Sequence, residues 1–280
     1  MFNVKGILVI NDGAFTIVNQ SCHNGLHLLY QRIATGVMHD SAERSPLPKF
    51  DLRISQAIVS DIDEWINEEV MNATSSTARI LWVNGPTASD KTALAQLIAE
   101  ICQQNGQLGA SFFFPRKLEE QELTVTVARK LVLTLAYQLA ISLPEVGQII
   151  NELIAADPSV LDKSADIQMQ RLIVAPMGSI QKIMAVVIDG LDTCRDVVAQ
   201  QQIITILAAA ANGISSIRFI VTSKDTAWMR VGLMNSSLHQ KIFEMRTDLS
   251  LPKNKNRLKD LLPGAYTKAL NKIWRRNYSP

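Results

Sequence analysis

Ile80-Leu81-Trp82-Val83-Asn84-Gly85-Pro86-Thr87-Ala88-Ser89-Asp90-Lys91-Thr92 reads as a short buried strand, a turn, and a helix opened by Lys91-Thr92 and continued from Ala93 to Cys102. That order is the order of a phosphate-binding P-loop. In such a loop, successive backbone N–H groups and the helix N-terminus face the phosphates, a lysine reaches the β and γ oxygens, and a hydroxyl holds Mg²⁺. Gly85, Lys91 and Thr92 fill those places, with Pro86 and Ser89 lining the turn. One place departs: the residue before the lysine, where the pattern has glycine, is Asp90. Aspartate tolerates unusual backbone angles, so the loop shape survives on paper. Its charge is a different matter, because two like charges about 4 Å apart repel by roughly 1 to 4 kcal/mol between bulk water and a surface-like dielectric.

The elements around this stretch alternate. Ala110 to Phe114 and Ile183 to Ile188 are apolar runs, as strands buried on both faces require, and Ile217 to Val221 reads as a further strand. Helical periodicity fills the spaces between: Ile54 to Val70, Leu123 to Leu143, Val146 to Ala156, a short helix over Ile167 to Ala175, and Gln200 to Ala211. Strand and helix in alternation imply an α/β domain with a parallel five-stranded sheet of the P-loop type, flanked by helices and binding ligands at the strand C-termini. Three chemically loaded segments fall at such ends: 85–92, Asp189-Gly190-Leu191-Asp192 and Thr222-Ser223-Lys224. An apolar strand ending in Asp some way after a P-loop has the form of a Walker B element. Asp189 would hold Mg²⁺ and Asp192 would orient an attacking water. A plain Asp-Gly turn is the competing explanation of the same residues.

The flanks are less ordered in pattern. Before residue 50, the reading is a small hairpin around Asn11-Asp12-Gly13, a short helix from Gly25 to Val37, and an extended linker from His39 to Lys49. This gives a leader and linker over 1–50, a nucleotide domain over 51–250 and a basic tail, read as flexible, over 251–280. The tail holds eight Lys or Arg against one acid, so the first 250 residues are net negative although the whole 280-residue chain is formally +2. That distribution argues against a nucleic-acid-binding body, and the tail is either an anion-binding patch or a solvated end. Of the side chains that often bind metals, Cys22, Cys102 and Cys194 form no CxxC pair, and His23, His27 and His39 read as surface or linker histidines. The cysteines read as reduced thiols of an intracellular, cytoplasmic protein, and no apolar run is long enough to span a membrane. Met169, Met177, Met184 and Met229 have the spacing of core fillers.

Ile80-Leu-Trp-Val-Asn-Gly-Pro, Ala110-Ser-Phe-Phe-Phe, Thr134-Leu-Ala-Tyr-Gln-Leu-Ala, Val187-Ile-Asp-Gly-Leu-Asp-Thr-Cys and Arg218-Phe-Ile-Val-Thr-Ser-Lys, in this order, resemble the fungal NACHT NTPases with a nephrocystin-3-like N-terminal domain. His39-Asp-Ser-Ala-Glu-Arg44 and Phe15-Thr-Ile resemble the leader of mushroom members. The resemblance implies a STAND-type signal-transduction NTPase of the NOD-like receptor kind, which binds ATP/ADP (or GTP) with Mg²⁺ and co-assembles with itself or with other NACHT proteins. It implies that Gly85, Lys91 and Thr92 hold phosphate, that Thr92 and Asp189 serve Mg²⁺, that Asp192 lies in the acidic catalytic cluster, and that Lys224 is the sensor position.

Four departures accompany it. Asp90 replaces the loop glycine, Thr193 replaces the second acid after Asp192, Lys224 replaces the sensor arginine, and the regulatory and repeat domains expected to follow are missing, as in a truncated gene product. Lysine keeps the charge but loses the bidentate fork of arginine. Weak or no hydrolysis is the expectation, and a pseudo-NTPase serving as an interaction or scaffold domain is the alternative. The repulsion at Asp90 corresponds to about a tenfold to thousandfold loss of affinity. Asp90→Gly is accordingly expected to enlarge the ATP-induced thermal shift of the protein, and equal shifts in variant and wild type would refute the repulsion argument.

Overall fold

A computed structural model describes residues 7–11, 14–18, 25–47, 52–67, 78–84, 88–115, 124–194, 196–224 and 242–246; within these, side chains are described outside 7–18, 52–58, 88–90, 124–126 and 242–246. Strands β1 (Ile7–Asn11) and β2 (Ala14–Val18) pair antiparallel with Asn11 opposite Ala14, which leaves Asp12-Gly13 as a two-residue connection.

The remaining strands form one five-stranded sheet in the order β4 (Leu108–Phe113), β5 (Met184–Asp189), β6 (Ile217–Ser223), β3 (Ile80–Asn84), β7 (Ile242–Arg246). All four pairings are parallel. The fifth strand, Ile242–Arg246, was not singled out by its own sequence pattern, whereas the other four lie where the apolar runs place them.

Helices cover both faces. Along β3, Ile80 and Trp82 enter one core while Leu81 and Val83 enter the other. In β5, Met184, Val186 and Ile188 alternate in the same way with Ala185 and Val187. The period of two in a strand thus explains why these runs are apolar throughout: neither face meets water. The first core is built with α1 (Gly25–Tyr30), α4 (Thr124–Ser142), α5 (Pro144–Ala156), α6 (Ala165–Met169), α7 (Ala175–Met177) and α8 (Val197–Gly213). The second is built with α2 (Leu52–Asn67) and the P-loop helix α3 (Ala88–Gln104). Among the described residues, no helix is long and apolar enough to cross a membrane.

Several boundaries differ from the sequence expectation. Helix α3 begins at Ala88, so Lys91 and Thr92 lie inside its first turns and do not open it. An acid at position 90 is compatible with that start, since the N-terminal turn of a helix favours negative charge. The expected helix over Gly25 to Val37 stops at Tyr30 and resumes only as a 3₁₀ turn at Thr35–Val37, where Thr35 and Gly36 weaken helical continuity. The short helix expected over Ile167 to Ala175 runs from Ala165 to Met177 through a π-turn at Gln170–Val174. β4 begins at Leu108, two residues before the expected Ala110, and Thr222 and Ser223 extend β6 beyond the expected Val221.

The largest correction concerns His39 to Lys49. Its described part is not an extended linker: it carries a 3₁₀ turn at Ala42–Arg44 and lies against β4 and α3. His39, expected at the surface, is only 5% exposed. Its backbone N–H and ring both meet the Ser111 hydroxyl, and its Nε2 meets Gln103 Oε1 at 3.0 Å. β4 is an edge strand, and Gln138 of α4 completes its cover by accepting from the Ser111 N–H and donating to the Ser111 carbonyl. Buried edge groups require partners of this kind.

Leu135 in α4 is fully buried whereas Ile141 on the same helix is 61% exposed. Leu135→Ala is expected to cost about 2–5 kcal/mol of unfolding free energy in urea titration, and Ile141→Ala no more than about 0.5 kcal/mol.

Candidate functional site

Three adjacent strands, β5, β6 and β3, end on one side of the sheet, and the sequence places Asp189, Thr222-Ser223-Lys224 and the P-loop at those ends. Asp189 is the last residue of β5 and is 4% exposed. Its neighbours on the same strand face are Val187 and Ala185, which contact the α3 layer, so its side chain projects toward α3 by alternation. There it is met from two sides. Thr222 Oγ1 donates to Asp189 Oδ1 at 2.5 Å, and the Thr92 hydroxyl on α3 also hydrogen-bonds the carboxylate. Thr222 Oγ1 in turn accepts the Gly190 N–H at 3.0 Å. Gly190 has φ +75, a backbone conformation that glycine adopts without strain and that turns the chain sharply off the strand end.

The electrostatics follow from the burial. Desolvation pushes the Asp189 carboxyl above its usual range, while the Thr222 and Thr92 hydroxyls and the Arg44 guanidinium pull it back and Asp192 raises it further. A buried carboxylate is a poor resting place for a full negative charge, and a hard cation beside it would favour the charged form. The donor set, one carboxylate and one hydroxyl beside a helix N-terminus, suits Mg²⁺, which takes oxygen ligands and keeps several waters. Thr92 and Asp189 therefore fit the ion that the P-loop pattern implies. Lys91 of α3 is 2% exposed, a burial that long cationic side chains accept only with partners.

Asp192 and Lys224 are brought together as well. Asp192 Oδ1 accepts the Lys224 N–H at 2.9 Å, and Lys224 Nζ stands 3.8 Å from Asp192 Oδ2, with the lysine 58% exposed and the aspartate 11%. Thr193 turns its hydroxyl back 2.7 Å onto the Gly190 carbonyl. It has become part of the turn that presents Asp189. Ser223 completes the strand end from the other side, accepting from Trp82 Nε1 at 2.8 Å and tying β6 to β3.

Of the predicted site residues, Thr92 with Asp189 and Asp192 with Lys224 are thus joined. Gly85 and Pro86 lie outside the described residues, and for Ser89 and Asp90 only the backbone, in the first turn of α3, is described. The tail 251–280 also lies outside them. One residue that sequence reasoning did not place here is Arg44. It is half-buried, its guanidinium is held down to about 10 mainly by burial, and among the acids that raise it Asp189 stands first. The signal available in the sequence was its position in the His39 to Arg44 leader stretch, which carries no phosphate-binding spacing.

Residues 60–224, more than half of the chain, match the family described as Nephrocystin 3, N-terminal. No curated protein matches the chain. Among solved structures it is similar to a chain in the structure of Drosophila ORC bound to GC-rich DNA and Cdc6, with 11% identity, a TM-score of 0.45, and coverage of 99% of this chain and 39% of that one. It is also similar to C. elegans PCH-2, with 14% identity, a TM-score of 0.37, and coverage of 76% and 46%. The chain spans less than half the length of these solved chains. The family match runs from within α2 through β3, β5 and β6 to Lys224, and so takes in the whole strand-end cluster: the chain belongs to the Nephrocystin 3, N-terminal family.

Proposed function

We propose that this chain is a nucleotide-binding NACHT module of a STAND-type signal-transduction NTPase, an ATP/ADP-dependent switch of the NOD-like receptor kind with weak or no hydrolysis. The observation that carries the reading is the hydrogen bond of Thr92 to the buried Asp189, which unites the P-loop helix with the second motif. The fungal affiliation, the cytoplasmic setting and co-assembly with other NACHT chains come from the sequence resemblance.

In this reading Gly85, Pro86, Ser89 and the α3 N-terminus cradle phosphate through backbone N–H groups, and Lys91 neutralises the terminal phosphates. Thr92 and Asp189 hold Mg²⁺, which when bound screens the phosphate charge. Asp192 is the group left to orient water. One of its oxygens already accepts the Lys224 N–H, and Thr193 is committed to the Gly190 carbonyl, so water is weakly activated and the bound nucleotide is long-lived. Lys224, exposed and tethered to Asp192, is placed to exchange that partner for a phosphate oxygen. A switch needs bound states that persist, and slow hydrolysis provides them.

The pseudo-NTPase alternative has a specific observation in its favour, the acid at position 90 in the first turn of α3. Titration of labelled ADP and ATP with Mg²⁺ separates the two. Micromolar binding by wild type that falls by about a hundredfold in Lys91→Ala is the expected result. Absence of binding in both would make the fold a scaffold only.

A further inference from the structure

The segment from His39 to Arg44 lies across α3 and the edge strand β4 as a strap. His39 N–H donates to Ser111 Oγ at 3.0 Å, and its ring spans Ser111 and Gln103. Gln96 Nε2 donates to the His39 carbonyl at 3.1 Å, and Arg44 donates from one terminal nitrogen to that same carbonyl at 3.0 Å and to Gln96 Oε1 at 2.6 Å. Gln96 is one turn after Thr92 on α3, so it shares the face of the helix that looks toward Asp189.

The guanidinium lies 3.4 Å above the centre of the Phe113 ring. Phe113 is in register with Asp189 across the β4–β5 pair, and paired residues of neighbouring strands project to the same face. Two independent routes, along α3 and across the sheet, therefore bring Arg44 to the Asp189 end of the site. Among the described residues, no hydrogen bond or ion pair joins Arg44 to Asp189 directly. The guanidinium is fixed by Gln96, the His39 carbonyl and the Phe113 face, and its charge acts on the Asp189 carboxylate.

We propose that Arg44 is a cation of the phosphate site, supplied by the leader strap, that favours a nucleoside triphosphate over a diphosphate; this rests on the nucleotide-binding reading above. A P-loop directs the terminal phosphate toward the metal-holding acid, which here is Asp189. A planar guanidinium already immobilised on an aromatic face offers such a phosphate two parallel N–H donors at little ordering cost. Of the acids whose charge acts on Arg44, Asp189 acts most strongly. The strap thereby couples nucleotide state to the leader: a chain holding triphosphate grips residues 39–44 more tightly than one holding diphosphate.

Calorimetric titration of ATP and of ADP, each with Mg²⁺, into wild type, Arg44→Gln and Arg44→Lys tests this, with thermal midpoints of the ligand-free proteins measured alongside. Arg44→Gln is expected to lose about tenfold or more in ATP affinity and less than about threefold in ADP affinity. Arg44→Lys, which keeps charge without the fork and decides the matter if the glutamine variant fails to fold, is expected to fall between. Unchanged ATP affinity in a folded variant, or equal loss for both nucleotides, overturns the proposal and leaves Arg44 as an anchor of the strap. Wild type that binds nucleotide through Lys91 while the Arg44 variants match it sinks this inference alone. No binding by wild type sinks it together with the functional reading.

Discussion

The structure depends on a carboxylate buried at the end of a strand. Asp189 is 4% exposed and held by two threonine hydroxyls, one from the neighbouring strand and one from the P-loop helix. Neither hydroxyl carries charge, so the pair orients the acid without neutralising it. Everything around the site follows from that arrangement. The helix must start early enough for Thr92 to reach across, β6 must lie between β5 and β3 for Thr222 to do so, and Gly190 must turn the chain away immediately. A scaffold selected for stability alone gains little from such a group, because burying a carboxylate is costly and an apolar residue would serve better.

The sheet was legible because its chemistry is redundant. In Met184–Asp189 six successive buried residues leave only a strand covered on both faces, and the acid at its end marks where the cover stops. The pairing of the two motif segments was legible in part: Thr92 and Asp189, far apart in sequence, meet where the strand-end pattern puts them. The start of α3, the end of α1 and the 3₁₀ turn at Ala42–Arg44 were not, because they depend on contacts distant in sequence. Gly25–Tyr30 is a helix of six residues, too short to persist alone, and it exists by lying on α5, where Leu26 N–H meets Asn151 Oδ1 at 3.2 Å.

His39 and Arg44 show the same limit at the site itself. A histidine and an arginine among prolines, serines and acids have the composition of a solvated connection, and no periodicity distinguishes them. Their roles come from Gln96, Gln103 and Ser111, which lie in two other elements. Thr193 is a further case. Its sequence position suggests no contact, but its hydroxyl donates to the Gly190 carbonyl at 2.7 Å and closes the turn that follows Asp189.

Asp189 and Thr92 are proposed to hold a divalent metal ion beside bound nucleotide. Electron paramagnetic resonance of Mn²⁺, standing in for Mg²⁺, titrated into the protein with and without saturating ADP tests it most directly. Wild type should bind Mn²⁺ in the presence of ADP, and Asp189→Asn should weaken that binding by about tenfold or more while remaining folded. Mn²⁺ binding that is the same in Asp189→Asn as in wild type would contradict the account.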